Sequence, residues 1–323
     1  MNGSSVPASV DRALFDRVPR LVDLVPFTPL ADGIPTPIDR LGERLWIQRD
    51  DLTDSRYGGN KVRKLEHLLA IAARRGGPIL TAGAIGSHHV VATAVHAARL
   101  GLPVEAVRFP QPITPHVEAM RARATLLGVE FTDVGSSTAM PFALARRWAK
   151  LAPKGATLVT PGGSTPVGVL GYVGAGLELV DGFRANGWDE PDDVVVALGS
   201  GGSSVGLAVG LALGGWHRAT VHAVRVADVI VTNTPVLRGI ETGVRSLLAV
   251  GGVIPPAARW RIDGSWFGDG YGHPTEEGAD AAARATDLGL ASEPTYTAKA
   301  LAAAFALQDA GRRVVYLQTL AAH

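Results

Sequence analysis

Apolar and polar positions follow two spacings along this chain, and the spacing changes at regular intervals. Runs rich in valine, isoleucine and leucine predict buried strands at 45–47, 78–81, 104–109, 129–134, 156–160, 193–198, 220–226 and 314–317. Apolar residues at i, i+3, i+4 and i+7 predict helices near 61–72, 91–98, 116–127, 142–151, 166–181, 204–213, 235–249, 275–287 and 295–310. Strands that alternate with helices in this way are typical of parallel sheets covered by helices.

Two segments interrupt this rhythm, the proline-rich stretch 19–37 and the interval 251–274. The interval is rich in glycine, tryptophan and proline without any periodicity, so we expect a long functional loop there. The chain has 323 residues, and at about 150 residues per domain this length favours two domains. The sequence therefore predicts an α/β protein with two parallel-sheet domains.

Composition narrows the possible functions. The chain contains no cysteine, which excludes a disulfide framework, a zinc ribbon, an iron–sulfur cluster and thiolate catalysis. It carries 31 basic and 30 acidic residues, a net charge of +1. Without a basic field, binding to nucleic acid or to an anionic membrane is not expected.

A stretch of 23 residues without charge, 194–216, is long enough to span a bilayer. It contains seven glycines and three serines, most of them within 199–206. We interpret it as a strand, a glycine-rich loop and a buried helix. The N-terminal residues do not resemble an export signal, because charged residues appear before any apolar block. The expected location is the cytoplasm, with no membrane contact and no bound metal.

A lysine follows two glycines at the start of the first long helix. Gly58 and Gly59 allow a sharp turn, and Lys61 then lies in the first helical turn. The positive potential of a helix N-terminus lowers the pKa of a lysine and favours its free amine. A free amine forms Schiff bases, which indicates a carbonyl cofactor or substrate. The alternative is an ordinary surface lysine after a turn.

A second cluster, Ser87-His88-His89, follows the strand at 78–81 and precedes a helix. Ligands of parallel α/β sheets bind at this end of the strands. Ser87 and the amides of the helix start are therefore candidates for binding a carboxylate. Alternatively, Ser87 caps the helix beside two ordinary histidines. Neighbouring helical side chains diverge by about 100°, so a two-histidine metal site is not expected.

A third cluster, Gly199-Ser200-Gly201-Gly202-Ser203-Ser204, follows the strand at 193–198. A strand, a glycine-rich turn and a helix N-terminus form a cup whose amides bind phosphate. The same residues satisfy G-x-S-x-G at 202–206, the motif of a hydrolase nucleophile. In that alternative Ser204 is the nucleophile, and Asp269 and His273 follow in the required order.

Two of the five tyrosines, Tyr271 and Tyr296, lie in predicted loops or helix starts rather than on apolar stripes. Each hydroxyl is a candidate acid, base or hydrogen-bond donor. The alternative is a tyrosine that caps a core.

The clusters combine with other motifs in a fixed order. These are Arg49-Asp50-Asp51-Leu52-Thr53, Gly58-Gly59-Asn60-Lys61-x-Arg63-Lys64-Leu65-Glu66, Thr81-Ala82-Gly83-Ala84-Ile85-x-Ser87, Pro161-Gly162-Gly163-Ser164, Gly171-Tyr172, the segment 196–207, Gly270-Tyr271-Gly272 and Pro294-x-Tyr296-Thr297-x-Lys299-Ala300. The set resembles the family of 1-aminocyclopropane-1-carboxylate deaminase and D-cysteine desulfhydrase. These are pyridoxal-phosphate enzymes with the tryptophan-synthase-β fold (fold type II). The resemblance spans 45–319, and the ordered set is highly specific.

The resemblance implies an architecture and a ligand set. A large cofactor-binding domain (1–60 and 170–323) and a smaller domain (61–169) would enclose a cleft for pyridoxal 5′-phosphate. The substrate would be a small amino acid, and the protein would be a homodimer.

The resemblance also implies roles for single residues. Lys61 would hold the cofactor as a Schiff base and move the substrate proton, and Ser87 would meet the substrate carboxylate. Tyr271 and Tyr296 would be the active-site tyrosines. The implied cofactor-binding residues are Asn60, Lys61, Lys64, His88, Ser200, Gly201, Gly202, Ser203 and Thr319, of which Lys64 and 200–203 would contact the phosphate and Thr319 the pyridine nitrogen.

Three places depart from the family pattern. His88 stands where asparagine is usual beside the phenolic oxygen of the cofactor, Val91-Ala92 replace Arg-Gln, and 319–321 read Thr-Leu-Ala instead of Thr-Gly-Gly. We expect His88 to lie against that oxygen; the alternative is a histidine turned into a helix-packing layer.

The resemblance implies β-elimination from a small amino acid, as in conversion of D-cysteine to pyruvate, ammonia and hydrogen sulfide. Thr297, where the deaminase has glutamate, favours this branch. The alternatives are opening of a cyclopropane ring, elimination of another group such as sulfite, a serine hydrolase, and a non-catalytic ligand-binding relative.

Overall fold

The computed structural model describes residues 12–319, and within this range ten strands form two sheets. The strands are β1 (Ile38–Arg40), β2 (Leu45–Gln48), β3 (Ile79–Ala84), β4 (Val104–Phe109), β5 (Glu130–Asp133), β6 (Thr157–Leu158), β7 (Asp193–Leu198), β8 (Thr220–Arg225), β9 (Trp260–Asp263) and β10 (Val314–Leu317). One sheet has the order β1-β2-β10-β7-β8-β9, and the other has the order β5-β4-β3-β6. Only the β1–β2 pair of these strands is antiparallel.

Helices separate nearly all of these strands, as the alternating pattern predicts. They are α1 (Arg12–Arg17), α2 (Leu21–Leu24), α3 (Lys61–Arg75), α4 (His88–Ala98), α5 (Pro115–Leu126), α6 (Met140–Leu151), α7 (Pro166–Ala185), α8 (Gly202–Leu213), α9 (Thr234–Val250), α10 (Glu276–Asp287) and α11 (Thr297–Asp309). Short 3₁₀ turns lie at Asp50–Leu52, Ala152–Lys154 and Pro161–Gly163. The predicted α/β fold with parallel sheets is confirmed.

The middle of strand β7 is apolar because helices cover both faces of the larger sheet. Val194, Val195 and Val196 of β7 have no exposed surface, as expected for a parallel strand buried on both sides. Helices α7 and α8 approach each other very closely at Gly210. A Cβ atom at that position would lie 2.2 Å from the backbone oxygen of Val173. This packing fixes the N-terminus of α8 relative to the sheet.

The prediction of a loop at 251–274 was wrong in part, because this segment contains β9, an edge strand of the larger sheet. Charged and apolar residues alternate in its four residues, and only Trp260 and Ile262 pack against the core. The sequence reading also missed β1, α1 and α2. All are six residues or shorter, so no periodicity is established within them.

The uncharged stretch 194–216 forms most of β7, the turn after it and α8, as interpreted from its glycines. Among residues 12–319, no helix is long and apolar enough to cross a membrane.

The strands of the six-stranded sheet come from 38–48 and 193–317, and those of the four-stranded sheet from 79–158. The proposed domain division at 60/61 and 169/170 stays a prediction.

Candidate active site

A cavity of about 960 Å³ opens at the carboxyl ends of β3 and β7. It lies where parallel α/β sheets usually bind ligands. All of the predicted site residues except Gly202 line its wall. Gly202 is the first residue of α8, directly after Gly201.

Lys61 is the first residue of α3, and its Nζ atom donates a hydrogen bond to Oδ1 of Asn60 at 2.6 Å. Burial lowers its pKa to about 8, and the carboxylate of Glu293 acts in the opposite direction with a smaller effect. The sequence predicts that the helix N-terminus lowers the pKa of Lys61. The pKa is lowered in the structure, but the main cause is burial. About a tenth of the amine is therefore uncharged at pH 7, far more than for an ordinary lysine.

The loop from Ser200 to Ser203 forms the predicted cup at the N-terminus of α8. Gly201 has a φ of +86°, a left-handed conformation that favours glycine. The hydroxyl of Ser164 accepts a hydrogen bond from the Gly202 amide at 3.0 Å and lies 2.7 Å from Oγ of Ser200. Helix N-termini with such amides and hydroxyls attract phosphate.

Asn60 and Lys64 connect the start of α3 to this cup. Nδ2 of Asn60 donates to Oγ of Ser203 at 3.1 Å. Nζ of Lys64 donates to the backbone oxygen of Gly162 at 2.8 Å, two residues before Ser164. Burial lowers the pKa of Lys64 well below its ordinary value, and the nearby Lys61 acts in the same direction.

Ser87 is the N-cap of α4 and accepts a hydrogen bond from the Val90 amide, so the capping interpretation is correct. Its side chain also lines the cavity. Adjacent His88 has protein partners on both ring nitrogens. Nδ1 lies 2.6 Å from the hydroxyl of Tyr57, and Nε2 lies 2.7 Å from Nε2 of His116. The predicted contact between His88 and the phenolic oxygen of the cofactor stays a prediction.

His89 takes a different direction from His88, as expected for neighbouring helical residues. Its Nε2 atom lies 3.0 Å from the hydroxyl of Thr81, which is buried. Burial lowers its pKa to about 3, so the ring is neutral. Among residues 12–319, no group of three or more histidine, aspartate or glutamate side chains is placed to hold a metal ion.

Tyr271 and Tyr296 meet across the cavity wall. Tyr271 lies in the loop between β9 and α10, and Tyr296 directly precedes α11. Their hydroxyl oxygens lie 2.6 Å apart. Burial raises the pKa of Tyr271 to about 12 and that of Tyr296 well above its ordinary value. Both hydroxyls are therefore protonated at neutral pH, and in their mutual contact one donates and the other accepts.

Glu293 lines the cavity but is not among the site residues predicted from the sequence. Its side chain is buried, and its carboxylate accepts backbone hydrogen bonds from Thr295, Tyr296 and Thr297. An acidic residue just before a predicted helix was the available signal, since such residues satisfy helix N-terminal amides. It places a negative charge near Lys61 and the tyrosine pair.

Thr319 closes the cavity beside α3, and its backbone oxygen accepts a hydrogen bond from the Asn60 amide at 3.3 Å. The departure from the family pattern at 320–321 lies outside the described residues.

The hydrolase alternative lacks its essential contact. Ser204 lies in the first helical turn of α8 rather than on a tight turn. Its buried Oγ atom has no hydrogen-bond partner among residues 12–319. A serine nucleophile requires a base within hydrogen-bond reach, so this geometry does not support that reading.

The residues that are present fit pyridoxal phosphate. A buried amine with a lowered pKa suits an aldehyde, and the cup at α8 suits a phosphate. The cavity volume lies near the upper end of the range, roughly 300–1,000 Å³, that is usual for small-molecule sites. Lys61 and the cup residue Ser203 both contact Asn60, so amine and cup lie side by side.

Comparison with known families decides the identity of the fold and cofactor. The family described as "Pyridoxal-phosphate dependent enzyme" matches residues 24–317. This chain belongs to the pyridoxal-phosphate-dependent enzymes. Its cofactor is pyridoxal phosphate, and the resemblance identified from the motifs is confirmed.

Individual relatives agree with this assignment. The chain is 35% identical over 297 residues to a D-cysteine desulfhydrase of Klebsiella pneumoniae (strain 342), covering 88% of this chain and 87% of that protein. A crystal structure of an ACC deaminase homologue has a TM-score of 0.78 at 27% identity, covering 96% of this chain and 94% of that chain. The crystal structure of a T.th. threonine deaminase is similar in fold, with a TM-score of 0.60 at 20% identity, covering 95% of this chain and 96% of that chain.

Proposed function

We propose that this pyridoxal-phosphate enzyme catalyses β-elimination from a small amino acid, with D-cysteine as the substrate. The products are pyruvate, ammonia and hydrogen sulfide, with one water consumed. The observation that carries the proposal is that Lys61, the cup at α8 and the Tyr271–Tyr296 pair face one cavity. Similarity to a D-cysteine desulfhydrase over most of the chain supports the choice of substrate.

In this proposal, the start of α3 and the start of α8 hold the cofactor. Lys61 supplies the amine that links to the aldehyde, and Ser200–Ser203 bind the phosphate with Lys64 close by. Thr319 would contact the pyridine nitrogen, and Asn60 and His88 would complete the binding residues. When bound, the cofactor withdraws electrons from the carbon that carries the substrate amino group.

The remaining cavity residues act on the substrate. Ser87 and the first amides of α4 bind its carboxylate, because they combine a hydroxyl with a helix N-terminus. Lys61 takes the proton from the α-carbon, for which an amine with a pKa of about 8 is well matched. The Tyr271–Tyr296 pair donates a hydrogen bond to the reacting groups from the hydroxyl whose proton is not used in their mutual contact.

The position after Tyr296 favours elimination over ring opening. Thr297 is buried, and its hydroxyl accepts a hydrogen bond from the Glu293 amide at 2.8 Å. It is therefore used to shape the turn before α11, and it supplies no carboxylate at the position where the deaminase has one.

The proposal retains a homodimer and a cytoplasmic location, both expected from the sequence. Light scattering after size-exclusion chromatography tests the dimer, and cell fractionation tests the location.

The decisive experiment compares substrates of the purified, cofactor-loaded protein. Sulfide and pyruvate are measured with D-cysteine and L-cysteine, and ammonia and 2-oxobutyrate with 1-aminocyclopropane-1-carboxylate. We expect equal amounts of sulfide and pyruvate from D-cysteine. Turnover of the cyclopropane substrate without sulfide release from D-cysteine would reject the proposed reaction in favour of the deaminase.

A further inference from the structure

Three side chains form a hydrogen-bonded chain that leads from the cavity wall towards the protein surface. Tyr57 precedes α3, His88 begins α4, and His116 lies in the first turn of α5. The hydroxyl of Tyr57 lies 2.6 Å from Nδ1 of His88, and Nε2 of His88 lies 2.7 Å from Nε2 of His116. Both contacts have the length of a strong hydrogen bond.

The two ends of this hydrogen-bonded chain, Tyr57 and His116, have different surroundings. Tyr57 and His88 line the cavity, and only 2% of Tyr57 is exposed. His116 lies outside the cavity wall, is half-buried, and follows the exposed residues 112–115. The guanidinium of Arg123 packs over the Tyr57 ring, 4.7 Å from its centre. Water therefore reaches the His116 end, whereas the Tyr57 end lies in the cavity wall, where its hydroxyl oxygen also lies 3.6 Å from Sδ of Met120.

Two imidazoles joined through their Nε2 atoms have only one proton between them, because one nitrogen donates and the other accepts. In one arrangement, Nε2 of His116 donates to His88, and Nδ1 of His88 donates to the Tyr57 oxygen. In the other, Nε2 of His88 donates to His116, and the Tyr57 hydroxyl donates to Nδ1 of His88. The observed distances suit both arrangements.

We propose that Tyr57, His88 and His116 form a proton relay that delivers a proton from solvent to the departing sulfur. This relay rests on the proposed function. The Tyr57 O–H bond breaks as an S–H bond forms. In the same concerted transfer, the proton on Nδ1 of His88 moves to the Tyr57 oxygen, and the proton on Nε2 of His116 moves to Nε2 of His88, which was unprotonated before. Nδ1 of His116 takes a proton from solvent, so one proton enters the chain and one leaves it.

The relay is consistent with the chemistry of its members. Burial raises the pKa of Tyr57, so its hydroxyl is protonated at neutral pH and can release that proton only as His88 replaces it. Each histidine accepts a proton at one ring nitrogen as it releases a proton from the other, so its net charge does not change. A proton that leaves the cavity by the same route returns the chain to its first arrangement.

Chemical rescue tests this relay in the cofactor-loaded enzyme. His116→Ala should lower kcat for D-cysteine about tenfold with KM changed less than about twofold. Added imidazole should restore the rate, because it can enter from solvent and bridge His88 to water. The same imidazole should not restore Tyr57→Phe, in which the chain is broken at the cavity end. His217→Ala, at an exposed histidine elsewhere, is the matched control and should retain the wild-type rate.

A spectroscopic readout is independent of turnover. In the full-length protein labelled with ¹⁵N-histidine, we expect a strongly downfield imidazole proton that disappears in both His116→Ala and His88→Asn. His116→Gln serves as a second variant if the alanine variant melts early. Unchanged kcat in His116→Ala, or lost kcat without imidazole rescue, would overturn the relay, as would absence of the shared-proton resonance. Failure of the wild type to release sulfide rejects the proposed function instead, and the resonance then still tests the hydrogen-bonded chain.

Discussion

The hydroxyl oxygens of Tyr271 and Tyr296 lie 2.6 Å apart, although the residues are 25 positions apart in the chain and belong to different elements. The two rings are nearly perpendicular, at 76°. The loop that carries Tyr271 is attached to α11 by Lys299, whose Nζ donates to the backbone oxygen of Phe267 at 2.6 Å. The pair therefore joins a loop to a helix at the cavity wall.

Phenylalanine at either tyrosine should weaken this attachment. In the cofactor-free protein, Tyr271→Phe leaves the buried Tyr296 hydroxyl without this partner and should cost about 1–2 kcal/mol of unfolding free energy. Urea unfolding of both single variants and the double variant measures the coupling, which we expect to be about 1 kcal/mol. Strictly additive losses would show that the two hydroxyls act independently.

Lys61→Ala should abolish both the visible absorbance band of the bound cofactor and all turnover. No other amine can replace the link, since the nearby Lys64 is bonded to the Gly162 carbonyl. Lys150→Ala, at an exposed lysine of α6, is the control and should retain band and rate. A band that persists in Lys61→Ala would assign the link to another lysine.

Ser203→Ala and Ser204→Ala should differ, although the residues are neighbours. Ser203 accepts a hydrogen bond from Asn60, so its loss should weaken cofactor binding several-fold. Ser204 has a buried Oγ without a partner in the described chain, so alanine should be neutral or slightly stabilising. Cofactor titration and thermal melting measure both effects. Loss of activity in Ser204→Ala, with fluorophosphonate labelling of the wild type, would revive the hydrolase reading.

Sequence patterns located the central elements well because burial on both sides leaves uninterrupted apolar runs. The bounds of β4, β7 and β10 agree with the prediction residue by residue. Edge strand β9 was missed because its charged residues break such a run. The hydrophobic pattern predicts which strand ends lie at the same edge of a sheet, but it does not predict which side chains of different elements are in contact. For this reason Lys61 and the cup were predictable, whereas the contact of His88 with His116 was not.

Gly201→Asp should weaken cofactor affinity strongly, because a carboxylate would enter a site formed for a phosphate dianion. Any side chain there also carries the strain of a φ of +86°, of roughly 1–2 kcal/mol. Gly201→Ala carries that strain without charge and is therefore the matched control. We expect the alanine variant to raise Kd about tenfold, and aspartate to raise it well beyond that. Equal Kd values in titrations of the two variants would show that charge at this loop does not matter.

Glu66 of α3 should make the stability of the protein depend on pH. It is 2% exposed, and its Oε1 accepts hydrogen bonds from the amides of Leu30 and Ala31 at 3.0 and 3.1 Å. Burial raises its pKa from 4.5 to about 7, against the smaller opposing effect of those amides. Between these two values the folded protein holds a proton that the unfolded chain has released. The free energy of unfolding therefore falls as pH rises through this window.

Glu66→Gln should remove this dependence, because the amide oxygen still accepts both backbone hydrogen bonds and cannot ionise. Relative to this variant, the wild type should lose at most about 3 kcal/mol between pH 4.5 and 7. Urea unfolding of the cofactor-free protein at several pH values measures the difference. Glu43→Gln, at an exposed loop residue, should leave the profile of the wild type unchanged. Parallel profiles for Glu66→Gln and wild type would mean that Glu66 is ionised in the folded protein throughout this range.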